Sequence, residues 1–214
     1  MKTLLLFLSI LLLAIPQIST AQSAQAKLES SLSSADMLRQ DMRKLWSDHV
    51  FWTRDYAAAA IANQPDEKAA SVRLLKNQED IGNAIAKYYG KAAGDKLTSL
   101  LKEHIMIAVD LIKAAKTHDQ SKFQEVDRKW DRNGEEIAEF LSNANPNWPK
   151  ATLSDMMKMH LTTTKAEVTA RLNKDWEGDV KAFDDVYNHI LKMSDALSTG
   201  IIKQFPDKFS ATTN

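Results

Sequence analysis

Six long stretches of the chain place apolar residues at helical spacing, and short breaks rich in Pro, Gly, Asn and Asp separate them. The 214-residue chain has only 6 Gly and 5 Pro, and no useful length of it alternates between apolar and polar residues, which excludes a β-rich fold. Short breaks make consecutive helices antiparallel neighbours. We therefore predict an all-α fold, an up-and-down bundle of six helices arranged as three helical hairpins. The predicted helices span roughly 34–62, 66–88, 95–116, 120–142, 150–172 and 177–203.

One polar residue interrupts the apolar stripe in the middle of each predicted helix. In chain order these residues are His49, Asn77, His104, Asn133, His160 and His189. Corresponding positions in successive helix pairs lie 55 or 56 residues apart, which predicts three copies of one helical hairpin. Because antiparallel helices place their middles at similar height, we expect the six side chains to meet in one buried layer.

A buried imidazole or amide that lacks a partner costs about 1–3 kcal/mol. The layer must therefore be mutually hydrogen-bonded, hydrated or filled by a bound species. The leading hypothesis is a protein that binds a transition metal or a small ligand in this layer. The alternative is a structural or interaction module in which the polar layer only specifies packing. A third hypothesis is a metal-dependent enzyme of unknown reaction.

Neutral imidazoles suit Zn, Cu, Ni or Fe. The candidate metal ligands are His49, His104, His160 and His189. Asn77 and Asn133 would orient these imidazoles, with Asp80 and Glu136, each three residues further along, as carboxylate partners. Haem and a diiron centre are disfavoured, because the chain contains neither Cys-x-x-Cys-His nor Glu-x-x-His.

Three further residues complete the candidate ligand-binding set. Thr53 and Thr164 lie about one turn after a histidine, where their hydroxyls could contact a bound anion. Threonines in helices more often bond back to their own backbone, so that alternative stays open. Trp52 shares the apolar face of the first predicted helix.

Charge and motif content exclude several classes of function. Lys plus Arg and Asp plus Glu both number 28, which argues against nucleic acid as a partner. The chain has no Cys, so thiol chemistry, cysteine-bound metals and a lipid anchor on cysteine are excluded. It also lacks a Gly-rich phosphate loop, Gly-x-Ser-x-Gly and His-Glu-x-x-His.

The first 21 residues have the pattern of a secretory signal peptide. Lys2 precedes an apolar run at 4–15, and Ser19 and Ala21 provide the small residues of a cleavage site. The apolar run is too short to span a bilayer comfortably. We therefore expect export to the periplasm or the exterior, and no integral membrane segment after processing. The predicted organisation is a signal peptide at 1–21, a flexible lead-in at 22–33, a bundle domain at 34–209 and a flexible tail at 210–214.

Four longer motifs resemble those of a family of small bacterial proteins found in cell-envelope and secreted sets. They are HVFWTR at 49–54, NQEDIGNAI at 77–85, NANPNWP at 143–149 and QFPDKF at 204–209. The resemblance covers nearly the whole chain after the leader. It implies a bacterial source and an exported, monomeric helical protein. The family has no established activity, so the resemblance supplies no catalytic residue.

Cleavage after Ala21 is the first testable prediction. The intact mass of the exported product should correspond to a chain that begins at Gln22. An exported protein that retains residues 1–21 would instead indicate an uncleaved anchor.

Overall fold

The computed structural model describes residues 33–210 as a helical bundle. The helices are α1 (Ser34–Ala62), α2 (Glu67–Tyr89), α3 (Lys91–Lys116), α4 (Gln120–Ala144), α5 (Lys150–Leu172) and α6 (Trp176–Gln204), followed by a 3-10 turn at Pro206–Lys208. This part of the chain contains no β-strand, so the predicted all-α bundle of six helices is confirmed. The predicted signal peptide at 1–21, nearly all of the lead-in and the tail beyond 210 lie outside the described residues and stay predictions.

The helices form a closed ring with an inner and an outer set. Each helix packs against the next one along the chain, and α1 packs against α6. The first helices of the three hairpins, α1, α3 and α5, also contact one another. These three helices are therefore the inner set, and α2, α4 and α6 cover the gaps between them. None of the helices in residues 33–210 combines the length and apolarity needed to cross a membrane.

The turns inside the three hairpins share one backbone conformation. Asn63, His118 and Lys174 all have positive φ, at 55°, 55° and 59°. The residue after each of them donates its N–H across the helix end to an alanine carbonyl, in the pairs Gln64 to Ala59, Asp119 to Ala114 and Asp175 to Ala170, at 2.9–3.0 Å. This is the Schellman closure of a helix end. The hairpin repeat predicted from the layer therefore extends to the turns, with the same 55- and 56-residue spacing.

The link between α2 and α3 is shorter than predicted. The predicted helices at 66–88 and 95–116 leave a break at 89–94, but α3 begins at Lys91 and the link is Gly90 alone, with φ 85°. Gly94 is a residue of α3, and because it has no side chain, α2 can approach α3 closely at this position. A Cβ atom on Gly82 of α2 would lie 2.7 Å from the carbonyl oxygen of Gly94, and it would also overlap the Thr98 hydroxyl.

Aromatic residues close the end of the bundle opposite the hairpin turns. The ring of Tyr89 lies 5.7 Å from Trp148 and 5.3 Å from Phe205, measured between centroids. The Tyr89 hydroxyl donates to the Gln204 side chain at 2.7 Å and accepts from the Asn145 amide at 2.8 Å. The segments at 143–149 and 204–209 therefore meet in a structural contact, and Gln204 also donates to the Ala144 carbonyl at 3.1 Å.

Gly82→Ala tests the close approach of α2 and α3. The added methyl group would meet backbone at 2.7 Å, so we expect a loss of unfolding free energy of about 1–3 kcal/mol. Gly134→Ala is the matched control, because a Cβ atom there meets its nearest neighbours at 3.6 Å. That variant should be neutral or up to about 1 kcal/mol more stable, since Ala favours helix over Gly. Urea unfolding of both variants measures the difference, and equal effects would contradict the close approach.

Candidate functional site

Three histidines from the inner helices meet at the centre of the ring. His49, His104 and His160 are 3%, 2% and 4% exposed, and Asn77 and Asn133 are buried as well, so five of the six residues of the predicted layer are buried. The His160 ring lies 5.7 Å from the His49 ring and 6.1 Å from the His104 ring, measured between centroids. His189, on the outer helix α6, is half-buried and lies 6.4 Å from His160. The four histidines therefore divide into a central set of three and a peripheral fourth.

The outer-helix member of each hairpin donates a hydrogen bond to the inner helix. The three bonds run from Asn77 Nδ2 to the Leu45 carbonyl at 3.0 Å, from Asn133 Nδ2 to the Leu100 carbonyl at 3.2 Å and from His189 Nε2 to the Met156 carbonyl at 2.8 Å. Each acceptor residue stands four positions before the inner-helix histidine. One geometry is thus repeated three times, and it fixes the register of the two helices in each hairpin.

The contact between His104 and Asn133 determines the tautomer of His104. Nδ1 of His104 lies 2.7 Å from Oδ1 of Asn133. The Asn133 oxygen only accepts, so Nδ1 carries the proton and Nε2 keeps an unprotonated lone pair. Among the described residues, Nε2 of His104 has no hydrogen-bond partner. Asn133 therefore holds the imidazole in the form that presents a free electron pair.

His49 has only a long hydrogen bond at its ring, and one ring nitrogen of His160 has no partner among the described residues. The Gln78 amide nitrogen lies 3.3 Å from Nδ1 of His49, but it also donates to the Leu74 carbonyl at 2.8 Å and to Oδ1 of Asn77 at 3.2 Å. An amide has two N–H groups, so these three acceptors compete and His49 is the most distant of them. Nδ1 of His160 has no hydrogen-bond partner within residues 33–210.

A small cavity of about 10 Å³ lies among the three central histidines. That volume holds about one water-sized particle. The lining residues are Trp46, His49, Leu101, His104, Ile137, Met157, His160 and Met193. All eight are buried, and none carries a carboxylate or a fixed positive charge.

Burial keeps the central imidazoles neutral. Loss of hydration lowers the pKa of His49 to about 3 and that of His104 to about 4, and it holds the pKa of His160 well below its usual value. Repulsion between neighbouring imidazoles adds to this effect for His49 and His160. Burial also lowers the pKa of His189. The layer is therefore uncharged near neutral pH.

The structure does not bring the predicted carboxylate partners into the layer. Asp80 is half-buried and pairs with Lys76 at 2.9 Å, while Glu136 is exposed. Each stands three positions after its layer asparagine, a rotation of about 60° around the helix axis, which takes it to the edge of the buried face or beyond. Asn77 and Asn133 do join the layer, as predicted, and Asn133 forms a hydrogen bond with a histidine side chain, whereas Asn77 donates to the Leu45 carbonyl.

The remaining predicted residues lie beside the layer. The hydroxyls of Thr53 and Thr164 donate to the carbonyls of His49 and His160 at 2.7 and 2.8 Å, which is back-bonding within one helix. Trp52 is half-buried and stacks with the Arg73 guanidinium, 5.3 Å from the ring centroid.

Sequence reasoning missed Gln78, Met157 and Met193 as members of the site. Gln78 follows Asn77 directly. The two methionines stand three positions before His160 and four positions after His189, where the other repeats carry apolar residues. Their place in the repeat was a usable signal, because equivalent positions face the same interior.

Among residues 33–210, no group of three or more His, Cys, Asp or Glu side chains is arranged to hold a metal ion.

A second buried polar cluster lies nearer the hairpin turns. Arg54 donates to Glu167 at 2.6 Å and to both carboxylate oxygens of Asp179, at 2.9 and 2.8 Å. Arg171 donates to Asp179 at 2.8 Å. Burial raises the pKa of Glu167 to about 7, although Arg54 acts in the opposite direction. Glu167 and Asp179 lie on buried helix faces. A polar residue within an apolar stripe is therefore the sequence signal for this cluster, as it is for the histidine layer.

Comparison with protein-family models, with curated proteins and with solved structures found no match for the chain.

The buried histidines predict an acid-sensitive fold. Native His104 stays neutral down to about pH 4, whereas the unfolded chain binds a proton there below about 6.5. The stability that depends on neutral His104 is therefore complete above about 6.5 and is lost as the pH falls toward 4. When the pH falls from about 7.5 to about 4.5, the free energy of unfolding of metal-free wild type should decrease by about 2–3 kcal/mol more than that of His104→Leu.

Urea unfolding at several pH values measures this difference. Glu167 contributes the opposite slope, because its raised pKa favours the folded state at lower pH. That contribution is common to both proteins and cancels in the comparison. His118→Asn is the control, because His118 is exposed and Asn tolerates positive φ. Parallel curves for wild type and His104→Leu would contradict a neutral, buried His104.

Proposed function

We propose that this protein binds one transition metal ion at the centre of the bundle, through the imidazoles of the inner helices. The observation that carries the proposal is the free lone pair of His104. Its Nδ1 donates to Asn133, and its Nε2, on a ring that lines the small cavity, finds no hydrogen-bond partner in the described chain. Metal-bound histidines usually donate their second ring N–H to an acceptor in this way.

Ring spacing supports the proposal. Two imidazoles on one tetrahedral ion stand about 5 Å apart between ring centres, given metal–nitrogen bonds of about 2 Å. The His49–His160 and His104–His160 spacings of 5.7 and 6.1 Å exceed this by an ångström or so at most. Rotation of the rings is needed as well, because His104 and His160 are stacked, with 22° between their planes.

Cavity size limits the ligand. A volume of about 10 Å³ accepts a single ion or a water molecule. Small organic ligands usually occupy pockets of about 300–1,000 Å³, so they do not fit this site. The size likewise argues against haem.

A structural module is the second candidate, and the three repeated hydrogen bonds favour it. Each bond joins an outer helix to an inner carbonyl and specifies register without any bound species. On this alternative the polar layer selects one arrangement of six similar helices.

We also propose that the protein works outside the cytoplasm. The leader pattern at 1–21 supports this location, and the absence of cysteine from the chain means that its stability is independent of the thiol redox state of the compartment.

Thermal unfolding with metal ions tests the proposed function. We expect Zn, Cu, Ni or Fe ions to stabilise untagged wild-type protein near pH 7.5 by about 2.7 kcal/mol at a hundredfold excess over the dissociation constant, and a chelator to reverse this shift. His104→Leu should abolish the response. His118→Asn, at the exposed histidine, should retain it.

The same experiment can favour the second candidate. His104→Ala removes the partner of Asn133 and should cost about 1–3 kcal/mol in either case. If no metal shifts the melting temperature, and His104→Leu is as stable as wild type, the layer is architectural and the metal proposal is wrong.

A further inference from the structure

Two thioethers line the cavity together with the three imidazoles. Met157 and Met193 are 5% and 3% exposed. In the hairpin repeat they stand where the other copies carry Trp46 and Leu101, and Ile81 and Ile137. Trp46, Leu101 and Ile137 also line the cavity, so the third hairpin supplies sulfur at positions where the other hairpins supply indole or aliphatic groups.

The site holds no negative charge that could neutralise a divalent ion. Its lining consists of imidazole, indole, aliphatic and thioether groups. The nearest buried acid along α5 is Glu167, seven residues and about 10 Å beyond His160, and Arg54 already pairs with it. The cost of transferring an ion from water to a low-dielectric interior grows with the square of its charge, so a divalent ion costs about four times as much as a monovalent one.

Met157 also lines the surface groove between α4 and α5, whose floor includes Gly134 and Leu161. One thioether is thus shared between the groove and the cavity.

We propose that the ion this site selects is Cu(I), bound by imidazole nitrogen from His104 and His160 and by the sulfur atoms of Met157 and Met193. This inference rests on the proposed function and names its ligand. Thioethers select Cu(I) over hard or divalent ions, and neutral ligands suit a monovalent charge. The ion is bound and released as Cu(I), so no electron is transferred.

Competition for Cu(I) tests the inference. Untagged, metal-free protein is titrated without oxygen into the Cu(I) complex of bathocuproine disulfonate, and a parallel titration uses Zn(II) with a chromophoric chelator. Wild type should remove Cu(I) from the complex and should bind it more tightly than Zn(II). Removal of a residue that only hydrogen-bonds to a metal ligand weakens metal binding by roughly tenfold or more. Met157→Leu and Met193→Leu remove ligands themselves, so each should weaken Cu(I) binding by at least about tenfold. Neither should change the response to Zn(II).

Met42→Leu is the matched control, because Met42 is fully buried but lies outside the cavity lining. Leu and Met have similar volumes, so all three variants should keep the fold, and their thermal unfolding verifies this. X-ray absorption of the Cu(I) complex should show sulfur as well as nitrogen neighbours, and the sulfur signal should fall in the double variant Met157→Leu, Met193→Leu.

The outcomes separate this inference from the proposed function. Zn(II) binding that depends on His104, without tighter Cu(I) binding, would overturn the choice of Cu(I) and leave the proposed function standing. Cu(I) binding that survives in the double methionine variant would overturn the role of the thioethers. Failure to bind Cu(I) would overturn this inference, and failure to bind any of Zn, Cu, Ni or Fe would overturn both proposals.

Discussion

The hydrogen bond from an outer-helix side chain to an inner-helix carbonyl sets the geometry of each hairpin. Asn77, Asn133 and His189 each make this bond, and each bond places the two helices of its hairpin at one relative height. In the second hairpin a slip of one turn would also separate Asn133 from Nδ1 of His104, and a buried polar group without a partner costs about 1–3 kcal/mol. Because the same bond recurs in all three hairpins, each inner histidine has the same height relative to its outer-helix partner.

Much of this arrangement could be predicted from the sequence. The 55- and 56-residue spacing predicted both the hairpins and the buried layer, because a helix with one polar residue in its apolar stripe must direct that residue inward. Which helices are inner could not be predicted, since both helices of a hairpin carry similar stripes. For Asp80 and Glu136 the sequence shows an offset of three residues from the layer, but it does not show that the resulting rotation of about 60° takes them off the fully buried face. Gly94 looked like part of a loop because sequence alone does not show that a neighbouring helix approaches it.

The two buried polar clusters differ in how they meet the cost of desolvation. In the cluster of Arg54, Glu167, Asp179 and Arg171, each acid is paired with a guanidinium through short hydrogen bonds. The central imidazoles instead stay neutral and leave ring nitrogens without partners in the described chain. Paired charges have satisfied their bonding capacity, so they offer little to a ligand. Unpaired neutral nitrogens retain theirs, and this contrast is why the histidine layer, and not the ionic cluster, is the candidate binding site.

The contact between α1 and α6 closes the ring, and it places the beginning of the first helix near the end of the last one. Ser34, at the start of α1, donates a hydrogen bond to the Lys208 carbonyl at 3.5 Å. The start of α1 therefore lies within hydrogen-bond reach of the turn that follows α6. A circularly permuted chain, joined at this point and opened between two other hairpins, would rebuild the same ring from the same contacts. The order of the hairpins around the bundle axis therefore determines the structure. Their order along the chain depends only on which neighbouring helices are linked.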